Sequence, residues 1–250
     1  MGSSINIDHM DPERTETAPL LPKVPAPSSP EAATFTLTED LALAALKNRD
    51  LPAEEVEQIS KHAALMKSRK VRLALAAHPR APRRIALRLI RELYTFDLMR
   101  FSLMPAVPAD LKRVAEEQLV VRVPSITLGE RLSLARRSST LVAAALLLDR
   151  ESPVWRTALD NPRLTEAAII KALQHPKVTT AFVEAVCHHA KWSLRSEIRL
   201  VLLRNPHTPL ARALEFARRL PPAQLRDVLH VSRLPEKTKE YLRKDLEARK

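Results

Sequence analysis

Two glycines against twenty prolines constrain this 250-residue chain more than any other feature of its sequence. Tight hairpins, dinucleotide-binding turns and phosphate-binding loops need the positive φ that glycine supplies, and only Gly2 and Gly129 are available. Hydrophobic residues make up 45% of the chain but aromatic residues only 4%, which predicts a core of Leu, Ala, Val and Ile. We therefore predict an all-α fold.

Residues 1–34 differ in composition from the rest of the chain. They hold six of the prolines among Ser, Thr and Ala without apolar periodicity, which predicts a disordered tail. The first ten residues, MGSSINIDHM, resemble a vector-derived leader, so we expect the natural protein to start at Met10. The tail carries two basic and five acidic residues, which leaves a net charge of +15 on the folded domain expected over residues 35–250.

Apolar residues beyond the tail recur at helical spacing in short segments separated by proline, which predicts about fourteen or fifteen short helices. Four hydroxyl residues are predicted N-caps: Thr36, Thr127, Ser152 and Thr208. The first two have a Glu three residues later, as in a capping box, and the last two precede a proline. The β-branched run at 120–123 leaves a strand-like linker open, so residues 95–150 either follow the helical pattern or form an insertion.

Three segments repeat one pattern of helix, turn and helix. VRLALAAHPRAP at 71–82 aligns without gaps on IRLVLLRNPHTP at 198–209, and VWRTALDNPRLT at 154–165 keeps the Asn-Pro turn and the apolar pattern. Asn or His ends the first helix, where these residues tolerate a left-handed backbone, and Pro prevents its continuation. A short amphipathic helix cannot bury its apolar face alone, so such units are expected to stack on one another.

This pattern resembles the HEAT-like α-solenoids, particularly their leucine-rich-repeat variants. The resemblance implies a right-handed α-solenoid of paired helices that serves as a binding scaffold, without naming the ligand. The prolines of the three units, at 79, 162 and 206, lie 83 and 44 residues apart, so degenerate units or insertions are expected between them. The oligomeric state of such an array stays open.

One enzyme family is similar to this chain in size, helical-repeat build and basicity: the HEAT-like DNA glycosylases, which remove alkylated bases. They use aromatic residues with a carboxylate, and Trp155 with Asp160 is the one local pair of that kind. A five-residue offset on a helix turns those two side chains apart. The glycosylase is therefore a remote alternative, Trp155 being expected to pack in the core.

Ten basic residues and no acidic ones lie between Lys61 and Arg91. Arg84, Arg88 and Arg91 recur at i, i+4 and i+7 and form one stripe of a helix, opposite its apolar side. This predicts a basic surface for an anionic ligand; the alternatives are a solvated face or pairing with acidic residues elsewhere in the fold. The candidate binding residues are Lys67, Arg69, Lys70, Arg72, Arg80, Arg83, Arg84, Arg88 and Arg91.

Two functions follow from this surface. The first is a non-catalytic scaffold in the cytoplasm that binds a protein partner through an acidic surface or tail. The alternative is a protein that grips the phosphate backbone of DNA or structured RNA, since few aromatic residues are available for base stacking. The longest apolar run, 141–148, is too short to cross a bilayer, so no membrane insertion is expected.

No catalytic residue, metal or cofactor is expected. Cys187 is the only cysteine and offers no disulfide, which favours a reducing compartment. His188 and His189 follow it, but no further ligand stands at metal-binding spacing. Ser138-Ser139-Thr140, which follows two arginines, is interpreted either as a phosphorylation site or as a helix N-cap.

Overall fold

A computed structural model describes residues 37–248, which belong to one compact unit that begins at Leu37. Within that range the chain is all-helical and has no strand, as predicted, with sixteen α-helices where fourteen or fifteen were expected. The predicted tail over residues 1–34, with its leader, lies outside the described residues. The helices are α1 (Glu39–Lys47), α2 (Ala53–Lys61), α3 (Ala63–Lys67), α4 (Arg69–Ala77), α5 (Arg83–Glu92), α6 (Thr95–Leu103), α7 (Ala109–Arg122), α8 (Leu128–Arg137), α9 (Thr140–Leu146), α10 (Ser152–Leu159), α11 (Glu166–Leu173), α12 (Thr180–His188), α13 (Ser196–Leu202), α14 (Leu210–Arg218), α15 (Pro222–Val231) and α16 (Glu236–Glu247).

The strand-like linker considered for residues 120–123 is wrong. Helix α7 continues through Val120 and Val121 to Arg122, and a short 3-10 helix over Val123–Ser125 follows it. β-branched residues lower helix propensity only slightly, and the packing of Leu111, Ala115 and Leu119 in the core outweighs that cost.

Proline begins several helices, but mostly from the N-cap position and not from the first helical position predicted. Six prolines are themselves N-caps, with φ between −60° and −54° and ψ between 130° and 145°: Pro52, Pro82, Pro108, Pro209, Pro221 and Pro235. The N-cap residue needs an extended backbone and a free carbonyl but no N–H, and the proline ring supplies that geometry at no further entropic cost.

Three of the four predicted caps are not the N-caps of their helices, and in one of these a proline takes the place. Thr38 caps α1, and the predicted cap Thr36 lies outside the described residues. Glu151 precedes α10, so Ser152 is its first helical residue, and Pro209 takes the place expected for Thr208. The fourth is confirmed: the Thr127 side chain accepts from the backbone N–H of Glu130, whose carboxylate accepts from the backbone N–H of Thr127.

The histidine turn of the first repeated segment works by hydrogen bonding and not by a left-handed backbone. His78 has φ −70° and ψ 131°, an extended conformation, so the predicted left-handed C-cap is wrong there. Its Nδ1 accepts from the backbone N–H of Arg80 at 3.2 Å, which leaves Nε2 to donate to the carbonyl of Asn48 at 2.9 Å. The ring thus joins its own turn to the turn that follows α1.

The asparagine turns of the other two segments make the same kind of connection. Asn161 is buried and donates to the carbonyl of Ala135 at 2.8 Å, at the end of α8. Asn205 is also buried and donates to the carbonyl of Leu173 at 3.1 Å, at the end of α11. In both turns the amide oxygen accepts from the backbone N–H two residues later, so the side chain closes its own turn. The amide nitrogen at the same time satisfies a carbonyl at the end of the earlier helix, which has no partner within that helix.

The buried apolar residues form one cluster that extends from Ala42 in α1 to Leu246 in α16. Leu, Ala, Val and Ile dominate it, as predicted, with a few aromatic side chains among them, including Trp155 and Trp192. The principal helix contacts join helices that are no more than three places apart in the chain, such as α1 with α4, α5 with α7 and α9 with α11. No described helix is both long and apolar enough to cross a membrane.

Candidate interaction surfaces

The predicted arginine stripe lies on α5. Arg84, Arg88 and Arg91 are exposed, whereas Ile85, Ala86, Leu89 and Ile90 of the same helix are buried. Successive residues of a helix are rotated by 100°, so the apolar positions i, i+1, i+4 and i+5 lie on one side of α5 and the three arginines lie on the opposite side.

The basic residues between Lys61 and Arg91 are not unopposed, which corrects the expectation drawn from the acid-free segment. Five of the ten form ion pairs, four of them with carboxylates outside their own helix or turn and one, Lys61, with a carboxylate of its own helix α2. Arg84 reaches Glu57 of α2 at 2.6 Å and Lys61 reaches the same carboxylate at 3.5 Å. The other three pairs are Arg69 with Asp97 of α6, Arg80 with Asp50 at 3.2 Å, and Arg83 with Asp110 of α7.

Two of these pairs shift a pKa. The hydrogen bond from Arg84, helped by the charge of Lys61, lowers the pKa of the Glu57 carboxyl. The hydrogen bond from Arg69 to the carboxylate of Asp97 raises the pKa of that guanidinium. Both shifts favour the charged forms, so these residues stabilise contacts between helices instead of offering free charge to a ligand.

The other five basic residues have no ion pair among the described residues: Lys67, Lys70, Arg72, Arg88 and Arg91. Four of them are exposed. The exception is Arg72, which is half-buried; its guanidinium lies 5.8 Å from the centre of the Tyr94 ring and its Nε atom is buried without a hydrogen-bond partner.

One concave site gathers part of the stripe. A cavity of 560 Å³ between α2 and α5 is lined by Glu57, Ser60, Lys61, Arg84, Ile85 and Arg88. Three cationic side chains face one carboxylate in it, and that carboxylate is already engaged by two of them. This basic cleft can therefore receive an anionic group, with Arg88 as its unpaired cation. The other predicted binding residues do not line this cavity.

A second concave surface was missed by sequence reasoning. It lies on α7, α9 and α11, where two adjoining cavities of 430 and 770 Å³ share Leu141, Ala144, Ala168 and Lys171. We call it the α9 groove. The apolar run at 141–148 was the sequence signal for this groove, although that run predicted only the absence of a membrane span. Its end residues Leu141 and Leu148 are 44% and 38% exposed.

The pair considered for a glycosylase does not form a site. Trp155 is 4% exposed and packs edge-to-face on Phe182 with ring centres 5.5 Å apart, so it belongs to the core as expected. The Asp160 side chain is exposed, and its carboxylate lies 3.1 Å from Nε2 of His189. The two side chains therefore occupy different environments.

The histidines beside Cys187 are likewise engaged by the protein. His188 Nδ1 lies 2.9 Å from the carbonyl of Glu184, and His189 Nδ1 accepts from the backbone N–H of Lys191. Cys187 is buried, and burial raises the pKa of its thiol to about 12. Over residues 37–248 no three His, Cys, Asp or Glu side chains gather as metal ligands would.

Ser139 occupies the N-cap position of α9, as one of its two interpretations predicted, but its hydroxyl caps nothing. Both Ser138 and Ser139 are buried, which gives a kinase no access to them in the folded protein.

Comparison with known proteins yields no relative: no protein-family model, no curated protein and no solved structure matches this chain.

Proposed function

We propose that this protein is a non-catalytic α-solenoid scaffold that binds an acidic segment of a partner protein. Two observations support a stacked-repeat arrangement. The principal helix contacts stay within three places along the chain, and buried turn side chains bridge to carbonyls about one helix pair earlier. The bridges span 30, 26 and 32 residues for His78, Asn161 and Asn205, a nearly constant interval as stacked units require.

The basic cleft between α2 and α5 carries the binding proposal. Arg88 lines it without an ion pair and Arg91 continues the stripe from it, so a carboxylate placed there meets cations that the fold does not neutralise. Glu57 restricts the ligand, because its fixed negative charge repels a continuous row of phosphates more than it repels separate carboxylates. The cleft thus favours an acidic protein segment over a nucleic-acid backbone.

Binding of DNA or structured RNA is the second candidate, and one observation favours it. Tyr94 is 59% exposed and the guanidinium groups of Arg69 and Arg72 lie 5.2 and 5.8 Å from its ring centre. An exposed aromatic ring can stack one base while Arg72, which has no ion pair among the described residues, contacts phosphate.

A titration with charge-reversed variants tests the proposal. Fluorescence anisotropy of a labelled Glu-rich peptide of about 15 residues and of a labelled DNA duplex is measured at about 50 and about 200 mM salt. Arg88→Glu/Arg91→Glu is compared with Arg136→Glu/Arg226→Glu, which makes the same charge change at exposed arginines outside the cleft that have no ion pair among the described residues. Circular dichroism checks that both variants keep their helices.

We expect the cleft variant to weaken peptide binding about tenfold or more, because each reversed charge costs up to about 1 kcal/mol. The control variant should stay within about twofold of the unmodified protein. Equal losses in the two variants would show that net charge alone attracts the peptide. Binding of the duplex without binding of the peptide would replace the proposal with the nucleic-acid alternative.

A further inference from the structure

The α9 groove exposes several large apolar side chains to solvent. Val121 of α7 is 72% exposed, and Leu141 and Leu148 stand on its border with 44% and 38% exposure. Between them the floor consists of small side chains from two helices, chiefly Ala144 and Ala168. Large side chains around a floor of alanines form a trough, which is the shape that accepts the apolar stripe of a helix.

One end of the groove holds a buried polar atom without a partner. The side chain of Ser139 is part of the cavity wall beside Leu141, the residue is only 8% exposed, and its Oγ atom has no hydrogen-bond partner. Buried hydroxyls are almost always satisfied within a folded protein. A ligand bound in the groove would bring a backbone carbonyl or a polar side chain that can accept a hydrogen bond from this hydroxyl.

The charge along the groove selects the occupant. Lys171 of α11 borders both cavities, is exposed, and has no ion pair among residues 37–248; Arg163 adds a second cation at the Ser139 end. On the opposite wall Glu117 is held by Arg113 at 3.0 Å. Glu116 of α7 also lines the groove and has no ion pair among the described residues. The uncompensated cations therefore lie on the α11 side, and the uncompensated carboxylate lies on α7.

We propose that the α9 groove docks an amphipathic helix of a partner protein, with a stripe of apolar residues against Ala144 and Ala168 and acidic residues along the flank that faces Lys171. This goes beyond the acidic segment assigned to the basic cleft, because it names a second surface on other helices with different chemistry. An apolar stripe supplies the affinity, and the charge on one flank sets the direction in which the helix lies.

Two helical peptides test the proposal. Each has about 18 residues with Leu and Ala at i, i+3, i+4 and i+7, and one flank carries Glu in the first peptide and Lys in the second. Both are labelled and titrated by anisotropy against the full chain and three variants. Val121→Glu/Leu141→Glu alters the groove, Leu41→Glu/Leu194→Glu makes the same change at two residues that are 50% and 62% exposed elsewhere, and Lys171→Glu reverses the groove's cation.

The Glu-flanked peptide should bind the unmodified chain, lose at least about tenfold in affinity for the groove variant and stay within about twofold for the matched control. Lys171→Glu should reverse the preference toward the Lys-flanked peptide. Arg88→Glu/Arg91→Glu should leave this binding unchanged, so failure at the basic cleft and failure at the groove are separate outcomes.

Three results would overturn the proposal. The first is equal weakening by the groove variant and its control, and the second is no binding of either peptide to the unmodified chain. The third is a dimer by light scattering that Val121→Glu/Leu141→Glu converts to a monomer, since the groove would then be covered by a second copy of this chain.

Discussion

Asn161→Ala measures how strongly a buried turn side chain holds the turn after α10 against the end of α8. The Asn161 side chain is 1% exposed; its Nδ2 donates to the carbonyls of Ala135 at 2.8 Å and Ser138 at 3.3 Å, and its Oδ1 accepts from the N–H of Arg163 at 2.8 Å. Each buried group left without a partner costs about 1–3 kcal/mol. The Ser138 bond is long and contributes least, so the free energy of unfolding should fall by about 2–4 kcal/mol.

A matched control separates the turn from the link between units. Asn48 makes the same turn bond, accepting from the N–H of Asp50 at 3.0 Å. That pair is exposed, and over residues 37–248 the Asn48 side chain makes no bond to another helix. Asn48→Ala should therefore cost less than about 1 kcal/mol. Asn161→Asp should cost more than Asn161→Ala, because a carboxylate would face two carbonyl oxygens in a buried site.

Urea unfolding followed by circular dichroism at 222 nm gives the three free energies, and thermal unfolding should show a midpoint about 5–15 °C lower for Asn161→Ala. If Asn161→Ala costs no more than Asn48→Ala, the buried amide does not stabilise the packing of α10 against α8. If Asn161→Asp is as stable as the unmodified protein, the donor role of Nδ2 is wrong.

Three further predictions concern charged and titratable groups. Arg131→Met should lower the free energy of unfolding by about 3–5 kcal/mol in urea titrations, because it leaves the buried carboxylate of Asp149 without its ion-pair partner, which lies 2.6 Å away in the unmodified protein. A loss under about 1 kcal/mol would contradict this. Cys187 should stay unlabelled by a thiol reagent at pH 8 in the folded protein and react fully in denaturant, since burial raises its pKa to about 12. Arg84→Gln should raise the pKa of Glu57, as measured by NMR, and an unchanged pKa would disprove the ion pair. Because folding lowers the pKa of Glu57, its carboxylate stabilises the fold at neutral pH, and this stabilisation is lost as the pH falls through the folded pKa.

The surfaces were harder to predict than the helices for a specific reason. The acid-free segment between Lys61 and Arg91 suggested unopposed charge, yet Glu57 lies 27 residues before Arg84 and Asp97 lies 28 residues after Arg69. Packing between helices that are two or three places apart in the chain brings such residues into contact. Inspection of a local segment cannot detect pairs formed in that way. The α9 groove escaped notice for the same reason, because its walls come from three helices.

The turns show which features local sequence rules could not predict. Asn and His before Pro correctly marked the ends of helices, but the predicted left-handed backbone was wrong at His78, whose ring bonds to a turn 30 residues earlier. Propensity identifies a residue that can end a helix without saying what its side chain will contact.

The sequence by itself determined the all-helical class, the approximate location of helix boundaries beside prolines and the capping box at Thr127, because each depends on residues close together in the chain. Tertiary structure decided which cations are neutralised, which side chains bridge the turns and where the α9 groove opens. Those features depend on distances between helices that are remote in the chain, and such distances exist only once burial of the shared apolar core has set the helices against one another.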